Sequence, residues 1–324
     1  MAWETRPGLG RYGAILFAAQ TAVGVPASAP THTLLATTFM PPLEQLIKTK
    51  DAGANGSIRN RRSRVQGVMS DGRQIGCELT MSALAELCKA IGPVASGVVT
   101  PSALNFGDLA PGVPYTVWQL HHTGDRIAQD VQIGANNIAV GGRVNVTAQI
   151  TLNVTSSKPL AGPAPEPVLP SDMLQFKHWW LKLNDTVFKP EQGGINLAIP
   201  MGVVDGANGT DAVAANYPAG WERTDSPTLT VNFALPKLHD FLRDAYEQNG
   251  LIKLETGFTI PGTPAQTGPP AVAAVPARTL SFKILTAEVS EANPGSGTDR
   301  ITVPYVAVGV SPDTLAEFTV NLPS

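Results

Sequence analysis

Residues 75–91 change their hydrophobic period once. Ile75, Cys77, Leu79 and Met81 fall on one face of a strand at period two. Leu84, Leu87, Cys88 and Ile91 follow at i, i+3, i+4 and i+7, which predicts one buried face of a helix. The same pattern recurs without a gap at 229–245. The strand face becomes Leu229, Val231, Phe233 and Leu235, and the helix face becomes Leu238, Phe241, Leu242 and Ala245. Glu86 matches Asp240 and Lys89 matches Arg243, acidic residue before basic, the order that a helix dipole favours. Ser82 is the expected N-cap of the first helix, and Pro236 suits the first turn of the second. The step between the copies is close to half the chain, which predicts two similar units.

Other alternating segments predict strands at Ala14–Ala18, Leu34–Phe39, Tyr115–Leu120, Asp130–Ile133, Asn137–Val140, Val144–Val154, Trp179–Leu183, Leu251–Ile260, Thr279–Val289, Arg300–Gly309 and Glu317–Val320. Gly141-Gly142 reads as a turn. Lys189–Asp225 and Pro261–Ala277, rich in Gly, Asn, Pro or Ala, read as irregular. Residues 157–171 carry five prolines and read as a semi-rigid linker. The expected class is mainly β: two tandem β-sandwich or barrel domains, 1–156 and 172–324, each with one flanking α-helix.

Composition agrees with packed cores, at 43% hydrophobic residues, and with long turns, given 31 Gly and 28 Pro in 324 residues. A net charge of −3 argues against holding nucleic acid by phosphate neutralisation. Cys77 and Cys88 fall on predicted core faces; two cysteines cannot build a disulfide framework or a four-cysteine zinc site, and buried thiols in a reducing compartment fit best. Two N-terminal patterns mislead. Gly8-Leu9-Gly10-Arg11-Tyr12-Gly13 matches a dinucleotide fingerprint, but no buried strand precedes it. Tyr12–Ala19 followed by Ala27-Ser28-Ala29 imitates a secretory signal, but its apolar stretch is short and interrupted by Gln20 and Thr21. No run reaches the roughly 20 apolar residues of a membrane helix. A protein without its own secretion or membrane signal is expected.

Enzyme constellations do not emerge. His121-His122 points to opposite strand faces, and His32, His178 and His239 stand apart. Asp205–Asp211 lacks the ligand spacing of a calcium loop. No Gly-x-Ser-x-Gly elbow, Walker loop or Cys-x-x-Cys is present. Neither a catalytic activity nor a cofactor or metal is expected. One charge feature remains, the cluster Arg59, Arg61, Arg62 and Arg64. It reads as a solvated loop or as a contact between subunits or rings, where Arg suits bidentate pairing with carboxylates; DNA binding would lack interleaved aromatics and a recognition helix.

Several stretches together resemble the tail tube proteins (major tail proteins) of long-tailed, non-contractile bacteriophages. They are the opening Gly10-Arg11, a short apolar strand and Gln20–Ala27; the strand–helix at 75–91; Leu280–Ile284; and Ile301–Gly309. The resemblance covers most of both halves and is weakest in Lys189–Asp225 and Pro261–Ala277. It implies a structural virion protein of the tail, assembled in the host cytoplasm. Its partners would be itself, other phage tail proteins, and viral DNA passing through a lumen without specific binding, with no membrane. With a duplicated tube domain, three chains would form a pseudo-sixfold ring, and rings would stack into a tube. Other self-assembling virion proteins, such as a tail terminator or decoration protein, and a two-domain β-sandwich that binds carbohydrate or a cell surface stay open. For the last, Trp179-Trp180 is the one aromatic cluster.

Overall fold

The computed structural model describes residues 14–37, 72–101, 110–111, 113–120, 124–141, 145–154, 157–168, 171–204, 220–235, 240–248, 250–264, 273–292, 303–309 and 318–323. The first half contains β1 (Ala14–Ala19), β2 (His32–Ala36), β3 (Gly72–Glu78), α1 (Met81–Cys88), β4 (Val94–Ala95), β5 (Val98–Val99), β6 (Ala110–Pro111), β7 (Tyr115–Leu120), β8 (Arg126–Val140), β9 (Thr147–Asn153) and β10 (Ser157–Pro159). The second half contains β11 (Trp179–Leu183), β12 (Thr186–Phe188), β13 (Gln192–Ala198), β14 (Met201–Val204), β15 (Gly220–Arg223), β16 (Thr228–Leu235), α2 (Asp240–Glu247), β17 (Leu251–Ile260), β18 (Arg278–Ala292), β19 (Val303–Gly309) and β20 (Phe318–Asn321).

The protein is mainly β. Strands β1, β2, β3, β9, β8 and β7 pair antiparallel in that order, and β7 returns to β1, closing a six-stranded barrel. In the second half the pairing runs β12, β11, β17, β18, β19, β16, β13, again antiparallel throughout. The order β11–β17–β18–β19–β16 follows the order β1–β7–β8–β9–β3. Even the irregularities correspond: β8 shifts register by a bulge against β9 between Ile133 and Ala135, and β18 shifts against β19 between Val289 and Glu291. The three strands β14, β15 and β6 form a separate small sheet.

The predicted strand faces are the buried ones. Ile75, Cys77, Leu79 and Met81 are inside, as are Leu229, Val231, Phe233 and Leu235. The helix face Leu84, Leu87, Cys88 and Ile91 is also buried, and in the second copy Leu242 and Ala245 are buried while Phe241 is partly so; Leu238 lies outside the described residues. One apolar cluster contains the inward side chains of both halves. Burying each of its large side chains contributes about 1.5–3 kcal/mol.

Three details differ from the sequence expectation. Asp130–Ile133 and Asn137–Val140 are parts of one long strand, β8. Its interruption is a bulge, where a Cβ on Gly134 would come within 2.6 Å of Asn153 Nδ2. Helix α1 is capped by Thr80, whose side chain accepts from Ala83 N, whereas Ser82 bonds elsewhere. And α1 does not flank the fold as a surface helix would: all its residues except Ser82 are buried. Helix α2 keeps an exposed face, with Asp240, Arg243 and Asp244 open to solvent.

Asn136 faces inward on β8 between Ile150 and Leu197, is 1% exposed, and neither atom of its amide has a partner among the described residues. An unpaired buried amide costs more than an apolar side chain of similar shape. Asn136→Val is therefore expected to raise stability by about 1 kcal/mol in thermal denaturation. A comparable fall would mean that this amide is satisfied.

Candidate assembly surfaces

Strand β8 belongs to both halves. Along one edge it pairs with β9 and then β10. Along the other, Arg126–Val131 pairs with β7 and Ala135–Val140 pairs with β13 of the second half. The second contact is a ladder from Ala135↔Ala198 to Val140↔Gly193, centred on Asn137↔Asn196 and Ile138↔Ile195. It needs glycine, because a Cβ on Gly194 would lie 2.8 Å from the Ile138 carbonyl oxygen. Sequence reasoning assigned Lys189–Asp225 to irregular structure; β13, β14 and β15 all fall in it. In β13 the two glycines that weaken the strand pattern are required by the close approach of neighbouring backbones.

Further ties join the halves. Strand β5 pairs with β20 through Val99↔Val320 and Val98↔Asn321, and β6 pairs with β15. At the N-terminus of α1, Asp172 Oδ2 accepts from Ser82 N at 2.9 Å and from Arg278 Nη1 at 2.8 Å, and Asp172 Oδ1 accepts from the Ser82 hydroxyl at 3.1 Å. A carboxylate there also complements the helix dipole. Beyond the other end of α1, buried Arg223 donates from Nη1 to the Ile91 carbonyl at 3.0 Å, and burial pulls its pKa down. No sequence signal pointed to Asp172, Arg223 or Arg278, since each acts on residues far away in the chain. The matched charges of the two helices do form matched ion pairs, Glu86–Lys89 at 2.7 Å and Asp240–Arg243 at 3.2 Å.

The β8–β13 ladder makes one sheet face run through both halves. Its central row crosses five strands through directly paired residues: Gly76, Gln149, Asn137, Asn196 and Thr230. On one side lies the row Gln74, Thr151, Ala135, Ala198, Thr228, and on the other Glu78, Thr147, Ala139, Gly194, Asn232. These rows point away from the core. They contain no lysine or arginine, and Glu78 is their single charged group.

Away from these rows, the outward faces of the two halves differ in character. In the first half, Ala14, Leu16 and Ala18 of β1 and Trp118 and Leu120 of β7 form a second apolar cluster, packed against Ala27 and against Leu160 and Ala164 of the proline-rich stretch. Both faces of β1 are thus buried, which explains its unbroken apolar run. In the second half the corresponding face is charged. Val187, Lys182, Glu255, Lys283 and Thr319 form a row across β12, β11, β17, β18 and β20. Lys182 pairs with Glu255 at 3.4 Å and Lys253 with Asp185 at 2.7 Å, and that hydrogen bond holds the Asp185 carboxyl below its ordinary range.

The remaining candidates are structural. Trp179 is buried and donates to Thr256; Trp180 is half-buried, donates to Thr259 and lies under Lys182 Nζ at 4.9 Å. They do not form an open aromatic platform. Cys77 and Cys88 are free and buried, with burial pushing the Cys77 thiol up to about 12 and Cys88 also upward. Among the described residues no group of three or more His, Cys, Asp or Glu converges as metal ligands, and no helix is long and apolar enough to cross a membrane. Arg59, Arg61, Arg62 and Arg64, the predicted contact cluster, lie outside the described residues, as do His121, His122 and His239. Neither protein-family models nor curated proteins match the sequence.

Proposed function

We propose that the protein is a structural, non-enzymatic subunit that assembles head to tail into rings and stacked tubes. This is the role implied by its resemblance to bacteriophage tail tube proteins. In this reading its halves are duplicated tube domains, three chains make a pseudo-sixfold ring, other tail proteins cap or continue the tube, and DNA passes through the lumen in the virion.

The β8–β13 ladder carries the reading. By strand order β18 is the second-half counterpart of β8, and β13 pairs with β16 much as β2 pairs with β3. A β18-to-β2 contact between neighbouring copies would therefore repeat, between chains, the junction already made within one chain. Such a contact is heterologous and can close into a ring, and closure removes the exposed edges that invite uncontrolled pairing. Magnitude agrees. Strands β2, β3, β9, β8, β13, β16, β19 and β18 are consecutive neighbours in one sheet. Contributed by three copies, at about 4.8 Å per strand, they enclose a cylinder about 37 Å across between backbones. That is wide enough for a nucleic-acid duplex.

Sedimentation and negative-stain microscopy of concentrated protein test the proposal. Three-subunit rings or tubes are the expected species. A strictly monomeric protein at high concentration would overturn it and return a terminator, decoration or binding-module role to consideration.

A further inference from the structure

We propose that the neutral face crossing β3, β9, β8, β13 and β16 is the channel wall, shaped to let a polyanionic nucleic-acid duplex pass without holding it. The lysine-bearing face of β11, β12, β17 and β18 is then the tube exterior. The inference rests on the assembly reading and adds which side of the sheet points inward.

Two contrasts within the molecule carry it. An open sheet face on a soluble protein ordinarily mixes charges of both signs. The central row of amides, hydroxyls and glycine has neither sign, and Glu78 alone is charged among its flanking rows. In the second half, the face of β12, β11, β17 and β18 carries Lys182, Lys253 and Lys283 together with Asp185 and Glu255. Glu288 instead pairs with Val308, itself paired with Thr230, and so extends the central row with a further acidic group and no cation. Composition alone cannot produce this difference, because both faces belong to one compact set of strands. Its physical consequence is directional. Lysines facing a duplex would neutralise phosphates, release counterions and retain the strand, with affinity rising steeply at low salt. Asn and Gln on the open face offer short-lived hydrogen bonds without that term. The neutral face also spans both halves at the β8–β13 junction, so repeating that junction between chains would continue it around the ring, whereas the lysine row crosses β12, β11, β17, β18 and β20.

Cysteine accessibility in the full-length protein tests the orientation. The native thiols are buried and their pKa values are raised, so they give little background. Asn137→Cys reports the proposed wall and Val187→Cys the proposed exterior. Each is treated with a maleimide carried on a large polymer, before and after assembly. Assembly should slow labelling at position 137 by at least about tenfold, by exclusion from the bore, and leave position 187 unchanged. Equal labelling at both positions on intact tubes, or protection of 187 alone, would overturn the assignment while leaving assembly itself standing. Failure to form any assembly would overturn both. A second arm tests the passing partner. Tubes of Asn137→Lys/Asn196→Lys/Thr230→Lys, mixed with a short DNA duplex at low salt, should retain at least about tenfold more nuclease-protected DNA than wild-type tubes, and lose it as salt rises. Equal protection in the two tubes would refute the channel role of this face.

Discussion

Gly193→Val is expected to cost about 3 kcal/mol or more in folding stability. Gly193 pairs with Val140 on one side and Phe233 on the other, so β13 is held between two backbones. An added Cβ would collide with the Asn232 carbonyl oxygen and approach Trp179 Cη2 to 2.6 Å. The tryptophan has little freedom to withdraw, because it is buried and its indole N–H is committed to Thr256. The strand must therefore move away from β16, and the adjoining ladder to β8 moves with it. Denaturant unfolding measures the loss, and an unchanged midpoint would show that the β13 backbone can shift without consequence.

Asp172→Ala is expected to remove about 2–3 kcal/mol. The substitution leaves the Ser82 amide and hydroxyl without their acceptor and strips Arg278 of its carboxylate. The Asp172 side chain is only 10% exposed, so water replaces these bonds poorly. The more exposed Arg278, at 32%, keeps the effect below that of a fully buried pair. Asp172→Asn, which keeps an oxygen for Ser82 but no charge for Arg278, should lose less. Equal losses for the two substitutions would assign the whole effect to the ion pair, and no loss for either would mean that the clamp does not hold α1 to the second half.

The sequence pattern identified the elements that bury one face by a regular period. The strand–helix at 75–91 and its copy at 229–245 were legible because alternation and helical spacing report directly on which residues leave water. β11 and β17 were legible for the same reason. β13 was not, because glycine has no side chain with which to mark a face, and its requirement there comes from neighbours that join only in the folded chain. The burial of α1 was equally hidden. Ser82 read as an N-cap, and Glu86 with Lys89 as charges ordered along the helix dipole. Instead, Asp172 takes up Ser82, and buried Glu86 is paired to Lys89 while its carbonyl accepts from the Tyr115 hydroxyl of β7. The neutral wall and the charged wall were present in the sequence as period-two alternation. The strand pairing was needed to line their residues into rows.

The β5–β20 pair has a consequence for synthesis. Val99 meets Val320 across most of the chain, and α1, between β3 and β4, depends on Asp172 and Arg223 for the groups around its ends. The first half can therefore form its barrel on emerging from the ribosome, but it must wait for the last strand before its hairpin and helix are fully held. High sequence separation slows such closure, and unpaired edges stay exposed meanwhile. In the proposed assembly, such late completion would also withhold a finished edge from neighbouring chains until β20 has been synthesised.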